Sequence, residues 1–204
     1  MDLIRHYFPE FTSLQHAQLD QLTPLYNEWN SKINVISRKD MENFRERHVL
    51  HSLALTKYIS FPKESHILDI GTGGGFPGVP LAIANPNCSF VLLDSVGKKL
   101  KVINEIANIL ELKNIKTIHS RVEDHIGRYN YLVSRAVTNM PNFMKLTNHL
   151  TARGNKDFKE VIYLKGGDFN DELHKIKLKC KIHELDKLFR ESFFETKKVI
   201  QLSY

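Results

Sequence analysis

Five glycines fall between positions 71 and 78: Gly71, Gly73, Gly74, Gly75 and Gly78. Without Cβ atoms, such a stretch turns tightly and lets a ligand come close to its backbone. The residues before it, Ile67-Leu68-Asp69-Ile70, make an apolar run of strand length. Those after Pro80, Leu81-Ala82-Ile83-Ala84, read as a helix that Pro86 ends. Strand, glycine loop and helix form the nucleotide-binding first unit of a doubly wound α/β domain. A second carboxylate agrees with a nucleoside ligand. Ser89 to Asp94 is another strand pattern, and Asp94 follows the glycines by about twenty residues, where an acid reaches ribose hydroxyls. The competing reading is that Asp94 caps the helix beginning near Val96-Gly97.

The spacing admits two nucleotides. A dinucleotide fingerprint G-x-G-x-x-G fails from Gly71, because Phe76 takes the place of the last glycine. It matches from Gly73 through Gly75 and Gly78, which would make the chain an NAD(P)-dependent oxidoreductase, but Pro77 and Pro80 then crowd the helix start. The pattern Asp69-x-Gly71-x-Gly73-x-Gly75 instead resembles motif I of the S-adenosylmethionine methyltransferases. There an acid ends the strand and the glycines wrap the methionine and ribose.

The elements that must position these residues follow from periodicity. Residues 1–60 read as a helical extension ahead of a nucleotide-binding domain at 61–204. Leu19, Leu22, Leu25, Tyr26, Trp29 and Ile33 recur at threes and fours, a helix interrupted or bent near Pro24. Asp40 is placed to cap a second helix with Phe44, Val49, Leu50, Leu53 and Leu55 on its apolar side. Within it, Arg45, Glu46, Arg47 and His48 are either a solvated face or a cover over the ligand mouth that offers Arg47 and His48 to phosphates.

Lys98 to Leu112 is an amphipathic helix, and Asn114 to Ile118 a third strand. Val122 and Glu123 then lie in the loop at that strand's carboxyl end, where ligands of open α/β sheets sit. A backbone amide and a carboxylate there suit an adenine, or Glu123 and Asp124 simply begin a short helix. Arg135 ends the fourth strand, Asn130 to Ala136, and a cation there must be paired or face the crevice. A helix over Asn139 to Leu150 follows. Lys165 ends the fifth strand, Glu160 to Leu164, before Gly166-Gly167. A helix from Phe169 and strand-like segments at Cys180 to Leu188 and Lys197 to Leu202 would close the sheet with an antiparallel hairpin.

Composition sets outer bounds. The chain has 204 residues, 42% hydrophobic and 25% charged, enough for one domain with an extension. No run approaches the roughly 20 apolar residues of a membrane span, and Met1 to Arg5 has no signal-peptide pattern. The two cysteines, Cys88 and Cys180, form neither a metal nor a disulfide motif, which points to a reducing cytoplasm and no bound metal. A net charge of +6 suits a polyanionic partner.

Several segments together carry a wider likeness. They are Trp29-Asn30-x-Lys32-x-Asn34-Val35-Ile36-Ser37, Arg47-His48-x-x-x-Ser52, the stretch Asp69 to Pro80, Leu93-Asp94-Ser95-x-Gly97-Lys98-Lys99, Ser120-Arg121-Val122-Glu123, Ser134-Arg135-Ala136 and Leu164-Lys165-Gly166. In this order, from about Trp29 to Gly166, the chain closely resembles the bacterial 16S ribosomal RNA guanine-N7 methyltransferases of the RsmG family, also called glucose-inhibited division protein B (GidB). The resemblance implies a class I methyltransferase fold: a Rossmann-like, three-layered, mostly parallel seven-stranded sheet with an N-terminal helical extension. It implies that Gly71, Phe76, Val122, Glu123 and Arg135 contact S-adenosylmethionine, beside Gly73 and the ribose-binding Asp94. It implies a soluble, monomeric protein acting on 16S rRNA or a small-subunit precursor. Guanine N7 has an exposed lone pair and needs no general base, so no catalytic side chain is singled out. Arg47, His48, Arg135 and Lys165 are the candidates for RNA phosphates or the guanine O6 edge. Two positions depart from the family pattern: Gly74, where proline or alanine is frequent, and His51, where an aspartate is common. A non-catalytic RNA-binding module on the same fold is the remaining alternative.

Overall fold

A computed structural model of the chain describes residues 2–135, 137–151 and 157–203. The N-terminal part holds α1 (Leu3–Tyr7), α2 (Ser13–Lys32), α3 (Arg38–Met41) and α4 (His51–Leu53). Then follow β1 (His66–Ile70), α5 (Gly78–Ala84), β2 (Ser89–Asp94), α6 (Gly97–Ile109), β3 (Ile115–His119) and β4 (Tyr131–Arg135). The chain continues with α7 (Met140–Thr151), β5 (Glu160–Gly166), α8 (Asn170–Leu173), β6 (Lys179–Glu184) and β7 (Lys197–Ser203).

The seven strands lie in the order β3-β2-β1-β4-β5-β7-β6. Strands β1 to β5 run parallel, while β7 runs antiparallel between β5 and β6. Ile70 pairs with Leu93 on one side and Ser134 on the other, so the carboxyl tips of β1, β2 and β4 are level. The order reverses between β1 and β4, and the crevice beyond those tips is the place for a ligand.

Adjacent strand residues feed opposite cores. Ile67, Val133, Ile162, Leu164 and Val199 join the core under the N-terminal helices, α5 and α6. Leu68, Leu132, Val161, Tyr163 and Ile200 join the core under α7. With both faces covered, the central strands are apolar throughout rather than alternating.

The N-terminal helices belong to the first of these cores. A reciprocal capping box starts α2: Thr12 Oγ1 accepts from the Gln15 N–H at 3.2 Å and Gln15 Oε1 accepts from the Thr12 N–H at 2.9 Å. The helix then runs without interruption through Pro24. It buries Leu19, Leu22 and Tyr26 beside Val79, Ile83 and Ile103.

The next helical stretch differs from the expectation. Ser37, not Asp40, is the N-cap of α3; its Oγ accepts from the Asp40 N–H at 3.2 Å and donates to Asp40 Oδ2 at 2.7 Å. Asp40 is thereby freed to face Arg47, 3.3 Å away. From Arg45 to Leu50 the backbone opens into a π-helical turn before α4, a distortion that recurs at functional sites.

Candidate active site

The glycines divide into two groups by what surrounds them. Gly75 has φ +97°, and a Cβ there would lie 2.7 Å from Val79 Cγ2 and 2.9 Å from the Tyr26 hydroxyl. It is glycine because the protein itself closes on it. Gly73 has φ +59°, and the nearest heavy atom to its Cβ would be the Gly71 carbonyl at 4.0 Å. The space it leaves is open.

Two carboxylates hold this loop. Asp69 is fully buried; its Oδ2 accepts from Thr72 Oγ at 2.6 Å and from the Gly78 N–H at 2.8 Å, while Oδ1 has no partner. Burial raises its pKa to about 7 against the pull of those bonds and of Arg135. Asp94 joins two elements: Oδ2 accepts from the Gly73 N–H at 2.8 Å, and Oδ1 from the N–H of Val96, the N-cap of α6, also at 2.8 Å. It both pins the helix start and positions the ligand-facing edge of the loop.

Beyond these residues lies a cleft of about 410 Å³ at the tips of β1, β2, β3 and β4. Gly71, Gly73, Asp94, Val122, Glu123 and Arg135 all line it. Val122 and Glu123 do so from a single 3-10 turn after β3, so the loop and short-helix readings of this segment coincide. Val137 and Leu146 supply apolar wall that sequence reasoning did not single out. Phe76 stands apart from the other expected cofactor residues. Its side chain is 1% exposed and lies outside the cleft lining. It is packed among Tyr26 (ring centroids 5.0 Å apart), Phe44 (5.6 Å) and His48 (5.0 Å), because the loop turns it inward beneath the N-terminal helices.

Arg135 also borders a second pocket of about 310 Å³. Arg47, His48 and Lys165 line it, so the cations expected to meet RNA come together here. Arg135 donates from Nη1 to the Arg47 carbonyl at 3.1 Å and from Nη2 to His48 Nδ1 at 2.9 Å. Burial and the Arg135 charge lower the His48 pKa to about 3, so its ring is neutral. Lys165 is held by Glu172, with Nζ 2.6 Å from Oε1 and 2.5 Å from Oε2. Glu172 also accepts from the Met140 N–H at the start of α7. Asp40, His51, Phe193 and Lys197 also line this pocket and were not expected there. His51 lies one turn beyond Arg47, on the face the open helix turns toward the pocket. Phe193 and Lys197 arrive from the C-terminal segment, for which no local spacing signals a site.

A sequence model of the family described as rRNA small subunit methyltransferase G (GidB) matches residues 15–200. The chain belongs to this family. It is 47% identical to ribosomal RNA small subunit methyltransferase G of Christiangramia forsetii, over 99% of this chain and 96% of that one. Its fold is shared with more distant proteins. A S-adenosylmethionine-dependent methyltransferase from Aquifex aeolicus superposes with a TM-score of 0.57 at 14% identity, covering 82% of this chain and 98% of that one. Aeropyrum pernix fibrillarin, solved with S-adenosylmethionine bound, gives 0.54 at 14% identity, covering 76% and 74%.

As in other methyltransferases of the GidB family, the cofactor is S-adenosylmethionine, and the residues present fit it. Gly73 leaves a gap that a side chain would fill, beside an acid suited to a ribose and a cleft floored by backbone and apolar side chains. The nicotinamide register from Gly73 through Gly75 and Gly78 fits less well. Gly75 is closed by Val79 and Tyr26, and a Cβ at Gly78 would lie 2.7 Å from Asp69 Oδ2. Neither presents free backbone to a pyrophosphate. Among the described residues no helix is long and apolar enough to cross a membrane, and no cluster of side chains could hold a metal.

Proposed function

We propose that the protein methylates N7 of a guanosine in 16S ribosomal RNA. The cofactor lies in the cleft of Gly73, Asp94 and Glu123, and the target base in the pocket of Arg47, His48 and Lys165. One observation supports this above the others: the two pockets meet at Arg135, on the tip of β4, where the sheet order reverses. A cofactor and a base placed in them would lie on either side of that side chain.

S-adenosylmethionine supplies a methyl group on a sulfonium, open to in-line displacement. The chain supplies placement. Gly73 clears room for the cofactor, Gly71 lets Val137 close against the loop, Asp94 and Glu123 offer acceptors to its ribose and adenine, and Val137 and Leu146 supply apolar wall. Orientation of this kind is worth up to roughly 7–11 kcal/mol. Because guanine N7 attacks without losing a proton, the site needs no general base, and neutral His48 fits that requirement. The cationic side chains suit the acceptor edge of guanine and the RNA phosphates. A cation placed on O6 leaves the N7 lone pair free.

Incubating the purified protein with labelled S-adenosylmethionine and 16S rRNA, then digesting the RNA to nucleosides, tests the proposal. N7-methylguanosine is the expected product, with a rate that falls as salt rises. A different modified nucleoside, or none, overturns it.

A further inference from the structure

The second pocket contains a buried polar atom that nothing in the protein satisfies. His51 is 5% exposed, and its Nε2 has no hydrogen-bond partner. Against the burial, the Arg47 backbone one turn earlier acts in the direction that raises the ring's pKa, as an acceptor of Nδ1–H does, with Nε2 left unpartnered. Burial, then the charges of Arg135 and Lys197, hold the ring well below its usual pKa, so it is neutral. A neutral imidazole whose Nδ1 carries the proton has a bare lone pair on Nε2. His51 therefore holds an unmet acceptor in the wall of a pocket whose other polar groups are mainly donors.

The remaining lining residues sharpen this contrast. Arg47, Arg135 and Lys197 can only donate, and Lys197 Nζ lies over the Phe193 ring, 4.8 Å from its centroid. The one carboxylate, Asp40, already receives Ser37 Oγ and Arg47. Phe193 stands edge-on to the His51 ring, with centroids 5.2 Å apart, and fixes its plane. Guanine has a matching asymmetry. Its O6 and N7 accept, while N1–H and the exocyclic N2 amine donate. Adenine places an unprotonated N1 where guanine has N1–H, and it lacks the 2-amine, so it would set lone pair against lone pair.

We propose that His51 is a specificity-determining residue that reads the Watson–Crick edge of the target guanine, with Nε2 accepting from N1–H or from the N2 amine. This rests on the second pocket holding the target base.

The test uses the 16S rRNA segment that carries the methylated guanosine, synthesised with inosine (no 2-amine) or 1-deazaguanosine (no N1–H) at that single position. Both analogues keep N7 and O6. In the wild-type protein one of them should lower kcat/KM about tenfold, the scale of one lost hydrogen bond to a buried partner. In His51→Phe, which keeps a planar ring and removes the acceptor, guanosine itself should fall by a similar factor, and the analogue should cost nothing further. His51→Gln should restore part of the discrimination. S-adenosylmethionine affinity, measured by calorimetry, should match wild type in His51→Phe. Two results overturn the assignment: neither analogue is penalised by the wild type, or the penalty persists undiminished in His51→Phe. The first needs no variant to fold. Failure of the functional reading is separate, because the wild type would then make no N7-methylguanosine at all.

Discussion

Arg135 Nη2 donates to Nδ1 of His48 at 2.9 Å, and this one bond decides the state of the histidine. An imidazole that accepts at Nδ1 carries its proton on Nε2 and is uncharged. The same guanidinium reaches the Arg47 carbonyl, so the tip of β4 clamps the π-helical turn of residues Arg45–Leu50 from below. Arg135 thus ties the helix that carries Arg47 and His48 to the wall of the cleft lined by Gly73 and Asp94. Its charge is tempered by burial, which lowers its pKa to about 10 even with Asp69 and Asp40 opposing.

Stability should depend on pH through His48. Its folded pKa is about 3, lowered by burial and then by Arg135, whereas an unfolded histidine titrates near 6.5. Below about pH 6.5 the unfolded chain takes up a proton that the folded chain refuses. The contribution of His48 is complete above that pH and is lost as the pH falls toward 3. Denaturant midpoints between pH 7 and pH 4 should fall on acidification, and His48→Gln should flatten that slope. A His48→Gln slope equal to wild type would show that the ring titrates normally. Activity between pH 6 and 8 should show no inflection from this residue.

The two groups of glycines should fail in different ways. In Gly75→Ala the new methyl meets Val79 and the Tyr26 hydroxyl in a left-handed backbone. Overpacking costs typically about 1–3 kcal/mol and the backbone about 1–2 kcal/mol more, so the melting temperature should drop on the order of 5 °C or more. In Gly73→Ala the methyl enters open space. Only the backbone cost of about 1 kcal/mol applies, a drop of roughly 2–4 °C, while S-adenosylmethionine affinity should weaken about tenfold or more. Calorimetric titration beside thermal melts separates the two. Equal affinity in wild type and Gly73→Ala would remove the loop from the cofactor site.

The glycine loop, the successive strands and the cleft at their carboxyl ends were readable because each has a local signature. Apolar runs carry Asp69, Asp94 and Arg135 at or next to their carboxyl ends, and parallel strands carry their chemistry there. What was not readable depends on contacts remote in sequence. The sequence does not show that Phe76 turns inward, because that depends on Tyr26 and Phe44 closing over it. It does not show that Lys165 is neutralised by Glu172, seven residues on and across a bend. Asp40 looked like a cap because aspartate caps as well as serine, and a stretch without periodicity does not separate it from Ser37 three residues earlier. His51 stood out only as a departure from the family's aspartate; that it lines the pocket with Arg47 follows from the helical turn the two share.

Asp94 carries both meanings that its position allowed, and substitution should separate them. One oxygen holds the Gly73 N–H and the other the Val96 N–H, each at 2.8 Å, and the residue is buried. Hydrogen bonds to a charged group contribute about 1.5–3 kcal/mol each, so Asp94→Ala should lose about 3 kcal/mol or more of stability. Asp94→Asn keeps one acceptor and turns an amide N–H₂ toward the other donor, so its loss should be smaller. A role confined to pinning the helix start would make cofactor affinity follow the stability ranking, with Asp94→Asn close to wild type. A carboxylate that also grips a ribose makes both variants weaken S-adenosylmethionine binding about tenfold or more, whatever their melting temperatures. Titrating the cofactor into both variants at a temperature where each is folded distinguishes these outcomes, and near-wild-type binding by Asp94→Asn would leave Asp94 a purely structural residue.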